Sequence, residues 1–209
     1  MAEKETLMAL ALTTEEKIKQ AATKLFVEKG FAAARTRDIA VEAGINLALL
    51  NYYFRSKEKL FDVVMEESLQ LFLLGLEEIL NDVNTVLKDK IAGIAGHYID
   101  LLKSHPDLLL FILTEIRANP SRMDANLNVK EMLIESNFYK QLEATTQKKV
   151  DPMHFIMNLL GLLVFPFISS PVLKGAGEQG KAEFDQLMEE RKHWIPIWIE
   201  AMLKTLSAR

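Results

Sequence analysis

Apolar positions along this chain recur at helical spacing. Ile18, Ala22, Leu25 and Phe26 fall at i, i+4, i+7 and i+8, one face of a helix. Thr13-x-x-Glu16 ahead of them reads as a capping box, and Gly30 behind them as the C-terminal stop. Thr36 reads as the cap of a second, short helix. Its first turn carries Asp38, where the helix dipole favours an anion, and Ile39, Ala40 and Ala43 turn inward. Gly44 stops it. Asn46 reads as the cap of a third helix, Leu47 to about Tyr53. Ser56 caps a fourth, expected to run from Lys57 through Leu60, Phe61, Val64 and Leu71 towards Leu80.

The remainder is longer and less sharply punctuated. Helices are predicted over about Lys88 to Lys103, from Pro106 in a first turn to near Asn119-Pro120, and from about Asn126 to Gln147. Asp151-Pro152 opens a strongly apolar one. Ser169 to Gly180, with three glycines and a proline, reads as a loop, and a last helix spans about Lys181 to Leu206 with a kink expected at Pro196. No alternating run is long enough for a strand. The expected fold class is all-α.

Composition narrows this picture. Length, 209 residues, allows one large domain or two small ones. Cysteine is absent, which excludes a disulfide framework, a thiolate metal site and a cysteine nucleophile, and fits a cytoplasmic location. Net charge is −4, yet residues 1–60 hold ten Lys/Arg against eight Asp/Glu, and residues 61–209 hold fifteen against twenty-one. A mildly basic module therefore precedes an acidic body. The mixed-charge start and the short apolar run Leu7 to Leu12 do not read as a secretory signal.

Two short helices around a Gly-containing turn are the signature of a helix-turn-helix. A helix entering a DNA groove about 12 Å wide needs small or polar leading residues on its exposed side, here Asn46, Leu47 and Ala48. Leu50 and Phe54 are the inward-facing positions. The ordered string Gly30-Phe31, Thr36-x-x-Asp-Ile-Ala, Glu42-Ala43-Gly44-Ile45 and Asn51-Tyr52-Tyr53-Phe54-Arg55-Ser56-Lys57-Glu58-Lys59-Leu60 resembles the N-terminal domain of TetR-family regulators. The resemblance covers roughly residues 14–61. It implies a helix-turn-helix domain over 1–60, with a short N-terminal arm, and a ligand-binding and dimerisation domain over 61–209. It further implies a homodimer on double-stranded operator DNA, released by a small-molecule inducer. By position, Thr36 caps a phosphate, with Arg37 beside it. Asn46, Leu47 and Ala48 fall where bases are read, Tyr52 and Tyr53 where backbone and thymine methyls are met, and Lys57 where a phosphate is held. Asn51 stands where the family often has Tyr; it either pairs with adenine or contacts backbone. The apolar lead Leu47-Ala48-Leu49 shifts the expected weight to methyl contacts, water and DNA shape. A small-molecule-binding helical protein without sequence-specific readout is the alternative.

In the body, residues 155–173 carry no charge over 19 positions. Pro166, Ser169, Ser170 and Pro171 interrupt the run and Asn158 lies inside it, so a buried seam is favoured over a membrane span. The family pairs its last two long helices across the dimer, which points to Leu160, Gly161, Val164, Trp194, Trp198 and Met202. Tyr98, Phe111, Met123, Phe138, Tyr139 and Met157 are the large or adaptable groups expected around a ligand cavity. His97, His105, His154 and His193 have no metal-ligand spacing, and no phosphate loop, nucleophile elbow or triad pattern occurs. No cofactor, metal or enzymatic activity is expected.

Overall fold

The structure, a computed structural model, describes residues 12–118, 129–147, 149–175 and 177–207. It forms two compact units, Met1–Leu71 and Phe72–Arg209. The first ends eleven residues beyond the boundary expected at 60, because the fourth helix begins inside it. Every regular element among the described residues is helical.

The first unit holds α1 (Thr14–Ala33), α2 (Thr36–Glu42), α3 (Leu47–Tyr53) and the start of α4 (Lys57–Leu73). The capping box at α1 is formed: the Thr13 N–H donates to Glu16 Oε2 at 2.7 Å and the Glu16 N–H to Thr13 Oγ1 at 3.2 Å. Gly30 does not end α1. It takes φ 75°, kinks the chain, and a further turn follows, closed by the Ala34 N–H on the Gly30 carbonyl at 3.2 Å. Ile18, Ala22, Leu25, Phe26, Ile39, Ala40, Leu50, Phe54, Leu60 and Phe61 are buried. Phe26, Phe31 and Phe61 meet ring to ring, with centroids 4.8–5.9 Å apart.

The second unit holds α5 (Leu76–Asn81), α6 (Leu87–Ser104), α7 (Leu108–Ala118), α8 (Val129–Glu135), α9 (Asn137–Thr146), α10 (Met153–Ile168), α11 (Ser170–Leu173) and α12 (Gly177–Ser207). The fourth helix stops short of Leu80 because Gly75 turns left-handed at φ 76°. The helix expected over 126–147 is broken at Ser136, whose extended backbone and hydroxyl, accepting from the Tyr139 N–H at 3.1 Å, start α9 afresh. Pro106 lies ahead of α7, and α12 begins at Gly177.

Pro166 is carried inside α10. It has no N–H for the carbonyl one turn back, that of Leu162. Arg191 of α12 supplies the donor instead, Nη2 to Leu162 O at 2.6 Å. Lys90, fully buried, plays the same part for α5: its ammonium donates to the carbonyls of Ile79 at 2.9 Å, Leu80 at 3.2 Å, and Asp82. The core of the unit is drawn chiefly from α5, α6, α9, α10 and α12, with Leu80, Ile99, Leu142, Leu163 and Ile195 at its centre. Lys103, Glu189, Lys192 and Asp100 form a chain of ion pairs joining α6 to α12.

Candidate nucleic-acid interface

The local chemistry of α3 decides which of its groups are free. Asn46 caps it as expected, its Oδ1 accepting from the Leu49 N–H at 2.8 Å. One lone pair of that carboxamide oxygen is committed to the cap, and the two amide donors make no hydrogen bond among the described residues. Leu50 and Phe54 anchor the inner side. Asn46, Ala48, Leu49, Asn51, Tyr52 and Tyr53 are exposed, and Leu47 is half-buried. Ala48, Asn51 and Tyr52 lie three and four residues apart and share one face. Asn51 makes no side-chain hydrogen bond among the described residues, so its amide is free to donate and accept. Tyr52 is 80% exposed and stands edge-on to Tyr53 at 5.5 Å.

At α2, Thr36 is the first helical residue, not the cap. Arg35 takes the cap position, and no side chain bonds back to the first turn. A cap residue needs extended backbone, and that falls one position earlier than the residue types suggest. Arg35, Arg37, Arg55 and Lys59 are exposed and make no ion pair among the described residues, whereas Lys24 and Lys29 are paired with Glu42 and Asp38.

Lys57 departs from its expected placement. Its ammonium turns inward, donating to the carbonyls of Phe31 at 2.8 Å and Ala34 at 3.1 Å, and lies 4.3 Å above the Phe31 ring. It satisfies the end of α1, leaving one N–H for anything outside. Ser56 caps α4 as expected, its Oγ accepting from the Lys59 N–H at 3.1 Å.

In the second unit, Tyr98, Phe111 and Phe138 are buried in the core and Tyr139 is half-buried. Burial pushes the Tyr98 hydroxyl well above the usual tyrosine range, and its ring meets Phe72 at 4.9 Å. Met123 lies outside the described residues. Met157 is corrected: at 55% exposure it lies on the outer face of α10 and does not line an interior cavity. It stands three and four residues before Leu160 and Gly161, and so joins the residues expected at the seam. Leu160 and Gly161 are exposed and Val164 half-buried; on α12, Trp194, Trp198 and Met202 are exposed. The two indoles stack at 6.4 Å with planes 16° apart, and the Arg191 guanidinium lies 5.2 Å from the Trp198 ring.

A cleft of about 290 Å³, missed by the sequence reading, opens between α6, α9 and α12. Its walls come from three distant segments, none with a motif of its own. Among the described residues no group of three or more His, Asp or Glu is placed to hold a metal ion, and no helix is long and apolar enough to cross a membrane.

Residues 18–64 match the family model of bacterial regulatory proteins, tetR family. The chain is 24% identical to the probable HTH-type transcriptional regulator YttP of Bacillus subtilis, over 94% of this chain and 97% of that protein. It is 32% identical to the HTH-type transcriptional repressor NicS of Pseudomonas putida, over 49% of this chain and 48% of that one. In fold it resembles a TetR-like transcriptional regulator from Rhodococcus sp. RHA1, with TM-score 0.63, 17% identity, and coverage of 95% and 100%. It also resembles the ketosteroid transcriptional regulator KstR2 of Mycobacterium tuberculosis, with TM-score 0.59, 17% identity, and coverage of 88% and 96%. Residues 18–64 thus carry the N-terminal helix-turn-helix domain of the tetR family of bacterial regulatory proteins, and the relatives that the chain matches are HTH-type transcriptional regulators.

Proposed function

We propose that this regulator is a cytoplasmic repressor that binds a pseudo-palindromic operator as a homodimer and is released by a small molecule held in its second unit. The observation that carries the DNA reading is the exposed face of α3. Ala48, Asn51 and Tyr52 point outward together, on a helix anchored by Leu50 and Phe54. Thr36, Arg37, Asn46, Leu47 and Tyr53 flank that face and complete the proposed contact surface. Lys57 serves it from behind, as a brace.

Asn51 is the reader of adenine, since a free carboxamide can accept from N6 and donate to N7. Asn46 contributes its two amide donors, because its oxygen is turned to the helix it caps. Dimerisation is supported by the apolar strip of exposed Met157 and Leu160 and half-buried Val164 on α10 and exposed Trp194, Trp198 and Met202 on α12, a cluster of apolar residues that an isolated chain would leave in water.

Selection of binding sites from random duplexes tests this. The wild type should yield a two-fold symmetric site with an adenine fixed in each half. Asn51→Ala should lose that preference alone, at about 1–3 kcal/mol per half-site. Asn46→Ser keeps the cap and exchanges the two amide donors for one shorter hydroxyl, so it should relax a different position without melting α3. If no duplex is retained at low salt, the protein is instead a helical small-molecule binder without DNA readout.

A further inference from the structure

We propose that the cleft between α6, α9 and α12 binds a small amphipathic carboxylate, an acyl chain with one anionic end; as the site of the ligand response, it rests on the function proposed above. The inner wall is Ile91, Pro196 and Leu203, all buried, and Val86 and Leu87 form the lip. Thr145 closes the α9 side. Val86 is the informative residue. It occupies the cap position of α6, where a hydroxyl, carboxylate or carboxamide would bond the first turn, and it makes no such bond. It is also 60% exposed. Helix chemistry and core packing both leave that valine unexplained, whereas a hydrocarbon lying in the cleft would cover it.

The rim sets the charge of the ligand. Lys88 and Lys204 both pair with Glu200, at 3.5 and 2.7 Å. Two ammoniums share one carboxylate, so one positive charge is left at the mouth. A ligand carboxylate neutralises it; a neutral head gains nothing from it and an ammonium is repelled.

The lip is also held in place. Lys90 grips the carbonyls of Ile79, Leu80 and Asp82, and Gln141 Nε2 donates to the Thr85 carbonyl at 3.0 Å, one residue before Val86. The cleft is separate from the apolar strip. At about 100° per residue, Trp194 and Trp198 lie roughly 160° round α12 from Pro196.

Calorimetric titration of the full-length protein with octanoate, 1-octanol and octylammonium tests the assignment. Octanoate should bind once per chain, with octanol weaker and octylammonium at least tenfold weaker. The exposed double variant Lys88→Glu, Lys204→Glu should lose at least tenfold in octanoate affinity and reverse the order of charged heads. Val86→Asp should abolish octanoate binding while folding at least as stably as the wild type, because the new carboxylate caps α6. Absence of octanoate binding to the wild type, or binding unchanged in both variants, overturns the proposal. Operator affinity measured with octanoate separates the two readings. Cleft-dependent binding that leaves DNA bound keeps the site and sinks the ligand response. Release of DNA by another molecule, with no octanoate bound, does the reverse.

Discussion

Lys57→Met is the substitution that most directly tests how the DNA-binding unit is built. Methionine keeps the length and much of the apolar stem and removes the charge. The wild-type ammonium makes two charge-assisted hydrogen bonds, at 2.8 and 3.1 Å, to carbonyls at the end of α1, and stacks over Phe31. Bonds of that kind are each worth about 1.5–3 kcal/mol, and the stacking about 0.5–1 kcal/mol. Lys57 is half-buried, so water recovers part of the loss. A net destabilisation of about 2 kcal/mol is expected, and at about 2–4 °C per kcal/mol the Tm should fall by about 4–8 °C. Affinity for operator should fall too, because the loosened corner from Phe31 to Ala34 leads directly into Arg35 and α2. The salt dependence discriminates between brace and clamp. A lysine that held a phosphate would take about 0.9 off the slope of log K against log salt for each phosphate lost. A brace leaves that slope where it was. Thermal unfolding and fluorescence anisotropy across a salt series measure both. An unchanged Tm with a shallower slope would refute the internal role and restore Lys57 as a phosphate contact.

Trp198→Glu or Leu160→Glu should convert the proposed dimer to a monomer in sedimentation velocity, since a carboxylate buried without a partner costs several kcal/mol; a dimer that persists in both variants places the seam elsewhere. Lys90→Met should cost about 3 kcal/mol by stranding carbonyls of Ile79, Leu80 and Asp82, read as a lower denaturation midpoint at unchanged m-value. Hydrogen bonds from Lys103 and then Lys192 hold the Glu189 carboxyl below its usual value of 4.5. A carboxyl held low contributes stability above pH 4.5 and loses it as pH falls through the folded value, so stability should drop in that acid window. Glu189→Gln should flatten this part of the pH profile; an identical acid limb in the variant would show that the ion-pair chain does not matter.

The elements read well where their signals were local. Thr13 with Glu16, Asn46 with Leu49 and Ser56 with Lys59 each act over three residues, so residue type and spacing alone placed those caps. Gly75 and Ser136 were missed as breaks because the apolar period continues through both. A single left-handed glycine and a single capping serine outweigh that period only once the neighbouring helices set the direction of the chain.

The helix-turn-helix unit, the extent of α3 and the buried Phe54 were all legible in the sequence, since one amphipathic pattern separates the face of α3 that packs from the face that does not. What each polar group has left to offer was decided by the tertiary structure. Asn46 turns its oxygen to the helix it caps, and Lys57 spends two donors on carbonyls 26 and 23 residues away. Arg191 repairs, from 29 residues away, the gap that Pro166 opens. The cleft gathers Val86, Thr145 and Glu200 from three segments, and Met157 falls outside rather than in. Periodicity records which side of a helix is apolar. Only packing determines whether that side meets a core, a cavity or a partner, because burial depends on where distant segments come to rest.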